Sequence, residues 1–176
     1  MNKTVYLLCS AWLLVAIFSR LMPHPPDMTA MSAILVLAAT QLPRCLAVGA
    51  VIATYIISNF GLILLGMSPW FGSWWWSILI IYGALTLMVS LLPKRGLDHP
   101  WVLTLLTGLV FWLLSNVGTW LLSGMYPHTL YGFCNCFTMA LPFLPNQILG
   151  DALFASLMIL SLRMLRFHSI SAIVSP

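Results

Sequence analysis

Asp151 is an acid set inside a long apolar run, one to two helical turns after Pro145, Asn146 and Gln147. At about 1.5 Å of rise per residue, roughly 6 to 9 Å along a helix separates these groups, and Gln147 shares a face with Asp151 at the i to i+4 spacing. A carboxyl group at membrane depth costs several kcal/mol unless it meets a cation, a hydrogen-bond donor or a water-filled cavity. The nearest candidate partners by depth are Arg20, His24 and His128. Three roles stay open: an ion pair with Arg20 that locks the first helix to the last, direct contact with a substrate or ion, and plain solvation at the membrane edge.

Two further amides sit in apolar surroundings, Asn59 beside Ser58 and Asn116 beside Ser115. Each could bond across helices for about 0.6 kcal/mol, so helix–helix adhesion is their ordinary role. Yet Asn59, Asn116, Asn146 and Asp151 reach the same depth from three helices, a convergence that a small-molecule site requires. Aromatic walls are at hand in the segment 68–76, with Trp70 and Trp74, and again in Trp120 and Tyr126. His24, held in the stiff segment Pro23-His24-Pro25-Pro26-Asp27, and His128 complete the expected lining. Asp27 itself is expected to cap the second helix and to place negative charge at its N-terminus.

Other chemistries find no support. No nucleophile and base are paired, no two histidines have metal-ligand spacing, and no Gly-rich phosphate loop is present. No enzymatic reaction, metal or cofactor is therefore expected, and uphill transport would need a partner subunit or an ion gradient. Cys134 and Cys136 form a lone C-x-C, open to packing, disulfide chemistry or metal ligation; Cys9 and Cys45 read as small apolar residues.

The elements that must position these groups follow from composition. Hydrophobic residues make up 61% of the 176 positions and charged residues only 6%, against roughly 25% charged in a soluble domain. The chain reads as one all-helical integral membrane domain, 1–176. Six apolar stretches, near 5–22, 28–42, 45–66, 74–92, 100–123 and 145–165, are bounded by Pro, Gly and charged residues. Each approaches the ~20 residues needed to span, the second being short. Residues 130–141 predict an extra short helix at the interface before the last span. Lys3, Arg44, Lys94, Arg95, Arg163 and Arg166 fall on one side and Arg20 alone on the other, which predicts an N-in, C-in arrangement. Lys3 precedes an apolar stretch as in a signal peptide, but Arg20 and Pro23 follow where a cleavage site would lie, so a retained helix is expected. The scattered cations make no patch for nucleic acid. Gly49 and Ala53 form a small-xxx-small pair suited either to internal packing or to partner docking.

Arg20-Leu21-Met22-Pro23-His24-Pro25-Pro26-Asp27-Met28-Thr29 resembles the opening of a family of small bacterial membrane proteins of unassigned function. Asn116-Val117-Gly118-Thr119-Trp120, Tyr126-Pro127-His128-Thr129-Leu130-Tyr131-Gly132, Ala140-Leu141-Pro142-Phe143, Asn146 and Gly150-Asp151 extend the resemblance. That family in turn is similar to the substrate-binding S components of energy-coupling-factor (ECF) vitamin transporters. The resemblance implies a six-helix bundle in a bacterial inner membrane that binds a vitamin at its outer end. It also implies docking on a transmembrane coupling subunit driven by ATPases, although solitary members, cobalamin binders among them, are similar in outline. The chain departs from the pattern at Asn59, where Asp is common, at Asp27 for Asn and at Ala30 for Pro. Ala11, Val15 and Ser19 only approximate the Ala-x-x-x-Ala docking motif.

The expected function is uptake of a vitamin-like small molecule by a substrate-binding membrane subunit. Cobalamin is one candidate, since His24, His128 or a cysteine could ligate cobalt, and a flat heterocycle is another. The alternative is a structural or assembly subunit of a membrane complex that transports nothing.

Overall fold

The computed structural model describes residues 3–67, 75–92 and 99–174, with side chains described as far as residue 165. Every element there is helical: α1 (Lys3–Leu21), α2 (Met31–Gln41), α3 (Arg44–Leu64), α4 (Trp75–Leu91), α5 (Pro100–Leu122), α6 (Leu130–Ala140), one 3-10 turn (Leu141–Phe143) and α7 (Leu144–Val174).

Five helices close a ring around α2. In order, α1 packs on α3, α3 on α4, α4 on α5, α5 on α7, and α7 returns to α1, while α2 touches all five. The sequence of α2, Met-Ser-Ala-Ile-Leu-Val-Leu-Ala-Ala-Thr-Gln, explains its place: it is apolar on nearly every face, and such a helix is stable only when surrounded. All residues from Met31 to Ala39 are buried. Ring helices instead bury one stripe and present apolar side chains outward. In α1, Cys9, Trp12 and Ala16 are buried while Leu7, Leu14 and Phe18 are exposed, the surface a bilayer would cover. The closing contact is polar as well as apolar, Trp12 Nε1 donating to Ser161 Oγ at 3.0 Å.

Helices form in all six apolar stretches, but not at equal length. Lys3–Leu21, Arg44–Leu64, Pro100–Leu122 and Leu130–Leu165 are long and apolar enough to cross a membrane; Met31–Gln41 and Trp75–Leu91 are shorter. The stretch 28–42 loses its first turn to the loop before it. Asp27 adopts a left-handed φ of 65°, Met28 N–H bonds back to Pro25 and Thr29 N–H to Asp27, and Ala30 N–H donates to Ser19 Oγ. Asp27 therefore does not cap α2, whose N-cap is Ala30 with no side-chain capping bond.

At 11 residues, α2 is about 16 Å long, half of a ~30 Å hydrocarbon core. The ring interior is open beyond each of its ends. A cavity of about 500 Å³ lies at its N-terminal end, where Met31 and Ser32 form the floor. Another of about 530 Å³ lies at its C-terminal end, bounded by Thr40, Gln41, His99, Trp101 and Arg163.

Candidate functional site

The cavity above α2's N-terminus is built around Asp151, which is 3% exposed. Helix α7 aims this carboxyl group at α5, and Gly108 makes the approach possible: a Cβ there would overlap Asp151 Oδ2 and lie 3.2 Å from Ser32 Oγ. Ser32 and Gln147 hydrogen-bond the carboxyl group through their side chains. Gln147 also donates Nε2–H to the Gly108 carbonyl at 2.6 Å. Three helices thus meet at one acid, and both hydrogen-bonding side chains are uncharged.

Arg20 does not supply the missing charge by an ion pair. Its Nη1 donates to the Tyr55 carbonyl at 3.3 Å and to Ser58 Oγ, and its Nη2 donates to Asn59 Oδ1 at 2.9 Å. The guanidinium carbon lies 4.5 Å from the Tyr55 ring centre. Among the described residues no ion pair joins Arg20 to Asp151. The reason is geometric: Leu21 packs over Gly61, which draws the end of α1 onto α3 and spends the guanidinium there.

The walls are aromatic. Tyr82 stacks on Phe111 at 4.5 Å and 18°, and Tyr55 meets Tyr82 at 5.4 Å. Trp112 lines the same space, edge-on to Phe137 at 5.5 Å. Its indole nitrogen is buried without a hydrogen-bond partner among the described residues, a condition that costs about 1–3 kcal/mol and that a ligand's acceptor would relieve. Asp27 lines the rim. It keeps contact with solvent, yet surrounding protein atoms desolvate its carboxyl group and raise it above the usual carboxylate range, with His24 pulling the other way.

Helix α6 covers one side. Thr129 caps it by accepting from Gly132 N–H at 3.2 Å, and Gly132 sits against the Pro127 carbonyl, where no Cβ fits. That same carbonyl accepts from Trp120 Nε1 at 3.0 Å. Phe133 contacts both Trp120 and Phe137, so an aromatic chain runs from the loop to Trp112. Cys136 is buried on the cavity side and donates to the Asn116 carbonyl at 3.5 Å, whereas Cys134 is exposed. Positions i and i+2 of a helix do not face each other, and all four cysteines are free.

Of the residues expected from sequence, Asn116, Tyr126 and Asp151 line the cavity. Asn59 lies behind it, held by Arg20. Trp120 supports the loop through Pro127, and His128 packs edge-on against Trp120 at 5.9 Å on the exposed side. His24 is exposed, with Nδ1 2.7 Å from the Pro25 carbonyl. Asn146 is half-buried outside the lining, because only Gln147 and Asp151 occupy the inward face of α7 there. Trp70 and Trp74 lie outside the described residues. Sequence reasoning left Ser32, Tyr55, Tyr82, Phe111, Trp112 and Gln147 off the lining. Gln147 was within reach, since its i to i+4 relation to Asp151 had placed both on one face.

The arrangement can enclose a flat molecule: its volume falls in the ~300–1,000 Å³ range of small-molecule sites, with apolar walls and a few convergent polar groups. No match to this chain was found among curated proteins or among solved structures. Over residues 1–173 the chain matches a family of unknown function, DUF6580, and it belongs to that family.

Proposed function

We propose that the protein is a substrate-binding subunit of a bacterial inner membrane, taking up a vitamin-like small molecule into the cavity above α2. The observation that carries this reading is a buried acid, hydrogen-bonded by uncharged side chains, in the wall of a ~500 Å³ aromatic cavity. A group whose only task were to hold helices together would have no need of that space.

In this reading the chain is a multi-pass bundle crossing the membrane six times, N-in and C-in. Six of the seven cations then face inward, as the positive-inside rule favours. The cavity opens outward, and α6 lies at the outer interface as its cover. The chain length and the proposed six spans resemble those of an ECF S component, and energy would come from a coupling subunit with ATPases or from a solitary mode of action. His24 and His128 lie outside the lining, which leaves Cys136 as its one expected cobalt ligand, and a cavity of about 500 Å³ suits a flat heterocycle better than cobalamin.

Native mass spectrometry of gently solubilised protein tests the proposal. A vitamin-sized adduct in the parent that disappears in Asp151→Ala and in Gly108→Val, with melting still cooperative, is the expected result. No adduct in the parent and no thermal shift with any vitamin would sink it and leave the structural-subunit reading, which the tie between α2, α5 and α7 at Asp151 also supports.

A further inference from the structure

Building on the reading of this cavity as a substrate site, we infer that its ligand is an organic cation, a flat aromatic ring bearing a protonated or fixed positive charge.

The charged side chains in the lining are Arg20, Asp27 and Asp151. Arg20 is committed to α3 through three oxygen acceptors and the face of Tyr55. Among the described residues this leaves two carboxyl groups, one on the rim and one at depth, against one guanidinium whose charge its uncharged acceptors orient but do not cancel. Ser32 and Gln147 offer Asp151 hydrogen bonds but no countercharge. A buried carboxylate needs a countercharge to be tolerated, and a ligand that brings one gains an interaction that a neutral analogue lacks. An anionic ligand would instead meet two acids against one guanidinium already turned onto α3, a net like-charge lining that costs affinity.

The aromatic residues point to the same class. Ring faces carry negative quadrupole density and attract cations. Tyr55 already uses a face in this way, toward Arg20. The Tyr82–Phe111 pair and Trp112 stand in the same wall with no cationic side chain on them among the described residues. A flat cation could stack there with its charged end toward Asp151.

Three probes of one shape and different charge separate the possibilities: benzamidinium, benzamide and benzoate, titrated calorimetrically into the full chain in nanodiscs and followed in parallel by thermal shift. Benzamidinium should bind at least roughly tenfold more tightly than benzamide, and benzoate should bind weakest of the three. Asp151→Asn should bring benzamidinium to the level of benzamide without loss of cooperative melting. If that variant does not fold, Asp27→Asn on the rim should cut the preference by about threefold. Equal or tighter binding of benzamide or benzoate to the parent overturns the cation assignment while leaving the small-molecule site standing. A preference unchanged in a folded Asp151→Asn overturns it equally. Failure of all three probes, together with no co-purified ligand, overturns the site itself.

Discussion

Arg20 shows how a single residue can be found in a sequence while its partner stays open. Its position near Asp151 in predicted depth suggested an ion pair, but the guanidinium forks onto Ser58 and Asn59 of α3. Depth can be counted along a helix; which neighbour lies on that side depends on packing that one chain of letters does not carry. Asp151 was legible because an acid in an apolar run has few reasons to be there. Trp112 was not, because an aromatic residue in such a run reads the same whether it faces lipid or a cavity. Arg20→Lys should destabilise the protein by about 1–2 kcal/mol, since an ammonium cannot serve the same forked set of acceptors; a lower melting temperature in detergent checks this. Asp27 offers a pH test. Its carboxyl group is raised by burial, so the folded state holds the proton more tightly than the unfolded chain. The resulting stabilisation is complete below about pH 4, the unfolded value. It fades as pH rises through the raised folded value. The Asp27→Asn variant should therefore match the parent in acid and melt higher than it as pH approaches neutrality. A difference between the two that stays constant with pH would refute this.

At the scale of elements, α5 and α7 owe their closeness to one small residue. Gly108 admits the Asp151 carboxyl group to the α5 backbone, and Gly108→Ala should cost about 1–3 kcal/mol by overpacking. Gly49 is the natural control. A Cβ there meets nothing within 4 Å, so Gly49→Ala on α3 should be neutral or stabilising by up to about 1 kcal/mol. Comparing the two melting temperatures separates crowding from helix propensity. Gly49 and Ala53 are both exposed, so this small-residue pair is not used for internal packing. The short helix foreseen over 130–141 is present as Leu130–Ala140, legible because twelve residues between proline-bounded segments could hold three turns and no more. The start of α2 was not legible: nothing in the letters says that Asp27 takes a left-handed turn instead of capping.

For the whole molecule, the apolar blocks announced the helices, but their arrangement as five around one had to come from packing. Each block has similar composition, and only the all-round apolarity of residues 31–39 hinted at which would be central. The proposed orientation makes a prediction from native cysteines. Cys45, at the start of α3, and Cys134, on α6, are exposed, while Cys9 and Cys136 are buried. In intact cells, after removal of any outer barrier, a membrane-impermeant maleimide should modify Cys134 and leave Cys45 unmodified until the membrane is opened. The reverse pattern would invert the topology.

The brevity of α2 also bears on voltage. In a bilayer, electrical potential falls mainly where water is excluded, and moving one charge through 100 mV is worth about 2.3 kcal/mol. When the cavities at both ends of α2 hold water, most of that fall is compressed into the ~16 Å of the central helix, roughly doubling the field of a 30 Å slab. In the proposed orientation, a charged ligand resting on Ser32 and Asp151 would then have crossed almost none of the membrane potential. If the protein carries such a molecule inward, as proposed, the electrical work would be concentrated in the single step past α2.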